Sequence, residues 1–493
     1  MNKPATLTIP AVAALLLLTA QGLSLAGSAT WNADPIDGDW SKATNWTPNT
    51  VPMALPDTAT FGVSNETNIS IDIPIVLLDL TINSGASNYT FTPQGGGAVV
   101  SIHGGIFNNS DVEQDFVTTI SNRGLITSFA FFESASVGPN CVFTGVSGAT
   151  NTGAAVSFND DSSAGEGIFN NEGGALAGDN VGHTDFYDRS TGGNATCISN
   201  GGLSDGATGG ATNLFPHSTA GNGTFISNGG LSAGADGGTT VFAGGGGGTA
   251  TVIANGATVE GAHGGAIVFF GTSHASSATL IVNDGSNGGE PATLSFLENS
   301  YGDQASVKVY GAGTVTDATY HLFSFTIGSL EGDGVVVMFT SHTFNIGSNN
   351  RSTTFSGLIQ GHNLSTDALA KVGTGTLTLA GANDYAGTTT VSGGALRVAN
   401  TTGSATGTSA VTVPNATLGG SGIIAGAATI GSGGGTGAFL APALGTKKQG
   451  RLRSKAPSPL TPTRPTPTPS KPRRVRPEQI RWSPMESRLT ARS

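Results

Sequence analysis

The chain has 493 residues, of which 76 are glycine and only 11% are charged. The glycine share is about twice the usual ~7%, and a chain this long exceeds one ordinary globular core unless it is elongated. Residues 1–446 carry 8 basic and 30 acidic residues, net −22, whereas residues 447–493 carry 13 basic and 2 acidic, net +11. The acidic body argues against nucleic acid as a partner, and two cysteines are too few for a disulfide scaffold.

The first segment is typical of a secretory signal peptide. Lys3 precedes an apolar run over residues 9–20, and small residues at 24–26 or 27–29 supply a cleavage site. This run is too short to span a bilayer, and no later stretch has about 18 consecutive apolar residues. We expect a signal peptide at 1–29, a secreted or cell-surface protein, and no transmembrane segment in the mature chain.

Three tryptophans, Trp31, Trp40 and Trp46, lie close together after this segment. Clustered indoles can form a carbohydrate-stacking platform. They can equally seal the open end of a solenoid, which needs an atypical terminal repeat. We interpret the cluster as a seal, and residues 30–135 as an N-terminal β cap region.

A regular repeat dominates the segment 163–300. Equivalent residues recur through it: Thr196, Thr224, Thr251, Thr279; Asn200, Asn228, Asn255, Asn283; Phe186, Phe215, Phe242, Phe269, Phe296. Gly-Gly pairs separate the short apolar runs, and glycine allows the positive φ that tight corners need. One unit cannot bury its apolar side alone, so the fixed period indicates stacked coils.

We therefore predict an all-β, pectin-lyase-like fold: a right-handed parallel β-helix (solenoid) of about 27–28 residues per coil, with coils about 4.8 Å apart. Phe215, Phe242 and Phe269 are expected to form an interior aromatic stack. The four repeated asparagines are expected to form an amide ladder along the axis, a structural device without chemistry. Nothing in the repeat interrupts the coils to build a cleft.

The cysteines and histidines of the repeat form no ligand pattern. Cys197 falls where other repeats carry Phe225, Val252 and Leu280, which indicates a small buried hydrophobe rather than a reactive thiol. The histidines differ in phase and are not expected to stack: His183, His217, His263 and His274. With no P-loop or nucleophile motif either, we predict no catalytic, metal or cofactor-binding residues and no cofactor.

After residue 300 the period loosens, and a distinct motif occupies residues 371–400. Its spaced positions are Lys371, Gly373, Gly375, Leu377, Leu379, Gly381, Asn383, Tyr385, Gly387, Thr389, Val391, Gly394, Leu396 and Val398. Alternation predicts that the leucines and Val398 face the core while the intervening Thr and Arg face water. In wording, the motif resembles the autotransporter-associated β-strand repeat of exported bacterial proteins. The resemblance implies an extracellular β-helical passenger region, whose repeats are scaffolds without known catalytic residues.

The chain divides accordingly. Residues 136–300 are expected to form the repeat β-helix, 301–365 an irregular continuation, 366–440 the autotransporter-associated repeat region, and 441–493 a disordered, basic, proline-rich tail. The tail could be a disordered segment, could adhere to anionic envelope polymers, or could arise from a frameshift. We favour the frameshift, because Thr-Tyr codons read one base later give the alternating Pro and Thr of residues 459–469. Translating the gene in its other two frames past codon 446 tests it.

One group of charged residues is a candidate metal-binding and catalytic site. Asp160-Asp161 and Asp188-Arg189 are one repeat apart, which places them at the same corner of adjacent coils, with His217 near that column. Stacked aspartates could hold Ca²⁺ and an arginine could act as base, as in β-helical polysaccharide lyases. Both aspartate pairs also follow an aromatic strand, where turn residues are expected anyway. We favour the turn interpretation.

The sequence thus favours an exported, non-enzymatic β-helical scaffold or adhesin-like surface passenger, a monomeric rod whose expected partners are extracellular glycans or envelope polymers. The alternative is a Ca-dependent, lyase-like polysaccharide enzyme that uses Asp161, Asp188 and Arg189.

Overall fold

The structure is a computed structural model, and it describes residues 27–94, 98–118, 128–146, 148, 155–320, 324–339, 342–362, 367–431 and 437–442. For residues 451–454 and 488–490 it describes the backbone alone. The expected signal peptide, apart from residues 27–29, and most of the expected tail lie outside the described residues. In the described part, no helix has the length and apolarity to cross a membrane.

The chain folds as an all-β parallel solenoid, as predicted. Two sheets of 16 strands each run along its length, and a third, shorter sheet joins them in the C-terminal half. Neighbouring strands pair in parallel throughout these sheets except at the N-terminal edge, where Ala29–Trp31 pairs antiparallel with Trp46–Thr47. A single 3₁₀ turn, Ala43–Asn45, is the only helical element among the described residues.

The strands of the first sheet, in spatial order, are Trp46–Thr47, Ala29–Trp31, Thr58–Phe61, Ile75–Ile82, Val99–Asn108, Ser128–Phe131, Ala155–Phe158, His183–Phe186, Ala211–Leu214, Thr239–Ala243, Ala266–Phe270, Thr293–Glu298, Thr314–Thr319, Val335–Met338 and Leu358–Gly361, with Ser136–Val137 beside Val99–Asn108. Those of the second sheet are Asn68–Ile71, Thr90–Pro93, Gln114–Thr118, Cys141–Gly145, Ile168–Asn171, Thr196–Ser199, Thr224–Ser227, Thr251–Ala254, Thr279–Val282, Ser306–Val309, Ser329–Gly332, Thr353–Phe355, Thr376–Leu379, Ala395–Val398, Thr417–Gly420 and Phe439–Pro442.

The third face begins as a column of single bridges, which join Ser136, Ser163, Thr191, Thr219, Gly246, His274 and Tyr301. Its full strands are Ser324–Ile327, Thr343–Ile346, Ala368–Lys371, Thr389–Val391, Val411–Val413 and Ala428–Ile430. A small additional sheet contains Ile423–Ile424, Arg451–Ser454 and Arg488–Thr490. The sequence of the repeat shows no sign of this third face, because each long coil contributes only one paired residue to it and leaves no alternation to detect.

The register confirms the predicted period. Thr196, Thr224, Thr251, Thr279 and Ser306 are Cα partners on successive coils, so the repeated threonines lie in one row along the axis. Later partners lie closer together in the sequence, since Ser306 pairs with Ser329 and Thr376 pairs with Ala395. The loosening after residue 300 is therefore a change from long coils to short ones.

The aromatic stack is present, but one of its predicted members is wrong. Phe242 and Phe269 are fully buried and stack at 4.2 Å between ring centroids. Their partner on the preceding coil is Leu214, not Phe215. Phe215 lies half-buried on the outside against Tyr187, at 4.6 Å. Strand alternation admits only one of two consecutive apolar residues to the interior.

Cys197 is a buried hydrophobe, as expected. It is the Cα partner of Phe225 and has no exposed surface. Burial raises the pKa of its thiol far above the ordinary value, since the thiolate would lose its hydration. Burial likewise raises the pKa of Cys141 to about 12. Neither thiol is a reactive nucleophile at neutral pH.

The tryptophan cluster closes the first coils. Trp31, Trp40 and Trp46 are at most 2% exposed. Trp46 meets the other two edge-on at 5.0 and 4.8 Å, and Phe61 packs under all three. Trp40 donates its indole N–H to the Pro52 carbonyl at 2.9 Å. The rings serve as the seal and leave no indole face open for a sugar to stack on.

Candidate functional site

The predicted Asp/Arg corner assembles as the spacing required. Arg189 donates from Nε and Nη2 to the two carboxylate oxygens of Asp161, both at 2.6 Å, although the two residues are a full coil apart in sequence. Asp188 accepts from the backbone N–H of Asp160 at 3.4 Å on the same column. The arginine and the aspartates therefore lie on adjacent coils.

The backbone geometry of the turn explains which residue types occupy this corner. Asp160 and Asp188 have φ of 55° and 53°, in the left-handed region that aspartate tolerates better than most residues. Pro216 takes the corresponding place one coil later, and its ring forbids positive φ. His217 carries the positive φ there instead, at 76°. The positive φ that the corner requires therefore accounts for the residues of this column.

The charges at this corner favour a surface ion pair over a catalytic group. The hydrogen bond from Arg189 holds the pKa of Asp161 below its usual range, and the Asp161 carboxylate raises the pKa of Arg189 in return. An arginine stabilised as a cation is a poor base. Among the described residues, no group of three or more His, Cys, Asp or Glu side chains is arranged to hold a metal ion.

The long coils carry projecting loops that the sequence did not reveal. Between the second-sheet strand and the first-sheet strand of each long coil lies one such loop, here called an arm: 172–182, 200–210, 228–238, 255–265 and 283–292. A backbone hydrogen bond closes each neck, for example from Gly210 N–H to the Asn200 carbonyl at 2.7 Å. Gly206 has φ of 70°, and equivalent glycines of the other arms are also positive. The arms stack into a continuous ridge.

The predicted asparagine ladder forms at the necks of these arms. Asn228 donates its side-chain N–H to the side-chain oxygen of Asn200, Asn255 donates to Asn228, and Asn283 donates to Asn255, each at 2.9 Å. Asn200 ends the ladder on the Glu172 carboxylate at 3.1 Å. All four amides are half-buried. Each inner amide uses one N–H and one oxygen lone pair in the ladder and keeps one of each.

A groove of about 440 Å³ runs beside the ridge. Its lining comprises the four ladder asparagines, Gly201, Gly229, Gly256, Leu231, Thr258 and Asp284. The arms create this concave flank without interrupting the coils or their register. Asn-Gly-Gly-Leu recurs at 200–203 and 228–231, where two of the arms begin.

Histidines on the outside of the coils pair individually with acids. His263 Nδ1 lies 2.8 Å from Asp236 on the neighbouring arm, and this contact raises the pKa of His263. His274 Nδ1 lies 3.1 Å from Asp303. These pairs occupy different columns, so they form no common site.

The motif at 371–400 forms two short coils. Its characteristic polar residues are buried in these coils and form hydrogen bonds there. Lys371 is 1% exposed, and its ammonium donates to the carbonyls of Val372, Gly373 and Gly393. Burial lowers the pKa of Lys371 to about 8. A Cβ on Gly373, whose φ is 67°, would lie 2.0 Å from a backbone oxygen of the preceding coil. These residue types are fixed by the close approach of neighbouring coils.

Asn383 and Tyr385 tie this motif to its neighbours. The side chain of Asn383 accepts from Ile359 N–H at 2.8 Å and donates to the Ala405 carbonyl at 2.6 Å, so it joins three successive coils. Tyr385 is fully buried and shares a 2.7 Å hydrogen bond with Thr389.

The apolar alternation of the motif is also as predicted. The inward residues Leu377, Leu379, Leu396 and Val398 are buried, whereas Arg397 is exposed.

Comparison with known proteins adds one finding. No curated protein and no solved structure matches the chain. Residues 369–398, which span the buried Lys371, Asn383 and Tyr385, match the family model described as Passenger-associated-transport-repeat. This part of the solenoid is therefore similar to a passenger-associated transport repeat.

Proposed function

We propose that the protein is an exported, non-enzymatic passenger scaffold that presents its solenoid outside the cell. The observation that carries this proposal is the repeat at 369–398, whose buried side chains Lys371 and Asn383 join neighbouring coils. A segment whose distinctive residues are internal fasteners supports a scaffold role. The solenoid supplies a long surface, and extracellular glycans or envelope polymers are its proposed partners.

Export is tested with the full chain and a matched variant. Leu16→Arg/Leu17→Arg interrupts the apolar run of the expected signal peptide without touching the described solenoid. We expect the wild-type protein outside the cytoplasm with an N-terminus created after residue 26 or 29, and the variant in the cytoplasm. Cell fractionation and N-terminal sequencing measure both. A wild-type chain that keeps Met1 in the cytoplasm would refute the proposal.

The absence of enzyme activity has its own test. Uronate polymers are incubated with the full chain and Ca²⁺, and unsaturated products are followed by ultraviolet absorbance. We expect no cleavage by the wild type or by Asp188→Asn. Cleavage by the wild type that disappears in Asp188→Asn would establish the lyase alternative at the Asp161–Arg189 corner.

A further inference from the structure

The floor of the groove beside the ridge is glycine backbone. Gly201, Gly229 and Gly256 line it and are buried. A Cβ on Gly201 would lie 2.2 Å from the Gly229 carbonyl oxygen, and a Cβ on Gly256 would lie 2.4 Å from the Asp284 carbonyl oxygen. Side chains are therefore excluded from these positions, and the floor beside the ladder asparagines stays free of them.

The asparagine ladder places a row of polar groups along this floor. Asn228 and Asn255 each keep one N–H and one oxygen lone pair outside the ladder. Each coil therefore presents donors and acceptors in equal numbers, at intervals of about 4.8 Å along the axis.

Balanced donors and acceptors select the chemistry of a ligand. A hydroxyl both donates and accepts, whereas a carboxylate only accepts and an ammonium only donates. Asp284 at one end of the groove and Glu172 at the foot of the ladder disfavour anions further. An extended peptide repeats at every second side chain, about 6.6–6.8 Å, which does not match the coil interval.

One wall of the groove is apolar. Leu231 is 54% exposed although it lines a concave surface. Thr258 stands at the same arm position on the next coil and is exposed. A leucine side chain and a threonine methyl beside rows of polar groups suit a sugar ring, which carries C–H groups on its faces and hydroxyls on its rim.

We propose that this groove binds an uncharged polysaccharide chain lying parallel to the solenoid axis. Its hydroxyls pair with the amide groups that the ladder leaves unused, and Leu231 packs against a ring face. The proposal deepens the proposed function, since it rests on a passenger that meets extracellular glycans. It assigns a ligand to the ladder side chains, which otherwise serve the fold alone.

Affinity electrophoresis of the purified full chain tests the proposal. Native gels contain a neutral polymer (mixed-linkage β-glucan, hydroxyethylcellulose, dextran or arabinoxylan) or polygalacturonate. We expect retardation by at least one neutral polymer and none by polygalacturonate. Retardation by polygalacturonate alone, or by no polymer of the set, would overturn the proposal and leave the export result intact.

Variants locate the binding on the molecule. Leu231→Ser is expected to weaken binding about fivefold through lost apolar contact, and Thr258→Arg to abolish it by filling the groove. Leu203→Ser is the matched control, because Leu203 holds the same arm position one coil earlier, is 50% exposed and does not line the groove. Circular dichroism checks that each variant is folded. Equal weakening by Leu203→Ser and Leu231→Ser, or full binding by Thr258→Arg, would refute the assignment.

Discussion

The long coils of residues 163–305 and the short coils of residues 306–431 keep the same parallel stacking with different corner chemistry. In the long coils, identical asparagines bond to one another at the necks of the arms. In the first short coil, residues 310–313 alone replace the arm. Later short coils are fastened by unlike side chains, Asn383 and Lys371, which bond to backbone groups of neighbouring coils.

The long and the short coils differ in how much of their stability depends on a single side chain. A ladder amide is half-buried, so water can replace its partner when a neighbour is lost. The fasteners of the short coils are almost fully buried, so the backbone groups they serve would be left unpaired. The short region therefore concentrates stability in single residues, while the long region distributes it along a row.

The largest effect is expected for Asn383→Ala in the short coils. The substitution leaves Ile359 N–H and the Ala405 carbonyl without their bonds in a buried place, at a cost of about 3 kcal/mol. Denaturant unfolding and hydrogen exchange of the strand Leu358–Gly361, which contains Ile359, measure it. Unchanged exchange of the Ile359 amide would show that Asn383 is not a fastener.

Lys371→Met is expected to cost about 2 kcal/mol, because three carbonyls lose an ammonium donor while the cost of burying a charge is removed. The wild type should also respond to pH. The folded pKa is about 8 and the ordinary value 10.5, so the unfolded chain binds more protons between them and stability rises with pH in that window.

A comparison of the wild type with Lys371→Met isolates the contribution of Lys371 to the pH dependence of stability. We expect the difference in unfolding free energy between pH 8 and pH 10 to be smaller in Lys371→Met than in wild type. Measurement stops at pH 10, because Tyr385 has a raised pKa and would oppose the trend above that value. An identical pH dependence in both proteins would exclude Lys371 as its source.

The structure could be predicted from the sequence where the same residue type recurs at equivalent positions or in a regular alternation. The period, the amide ladder and buried Cys197 follow from equivalent residues on successive coils, and the inward Leu377 and Leu379 follow from strand alternation. Prediction failed at Leu214–Phe215, where two apolar neighbours compete for one inward position and the repeat alone cannot choose.

The arms and the short-coil fasteners were beyond prediction for a different reason. Glycine, serine and asparagine in the arms show no hydrophobic alternation, so nothing in the sequence distinguishes a projecting loop from a flat corner. The burial of Lys371 depends on three carbonyls brought together by two coils, a tertiary arrangement with no local pattern. The groove was missed because it depends on the arms.

Within the long coils, Asn228→Ala is expected to cost only about 1 kcal/mol. It removes two ladder bonds, but Asn200 and Asn255 are half-buried and regain water. The measurement is the same unfolding assay used for Asn383→Ala, so the two asparagines are compared directly. A loss equal to that of Asn383→Ala would remove the distinction between distributed and concentrated stability.

The smallest effect is expected at the Asp161–Arg189 pair, although its two 2.6 Å contacts are among the shortest in the long coils. The side chains of Arg189 and Asp161 are 72% and 55% exposed, so water and salt compete for both charges. Arg189→Gln should leave the unfolding midpoint unchanged at about 0.15 M salt. A clear loss of stability, growing at low salt, would mean that the corner stabilises the stack through its charges and not only through its turn geometry.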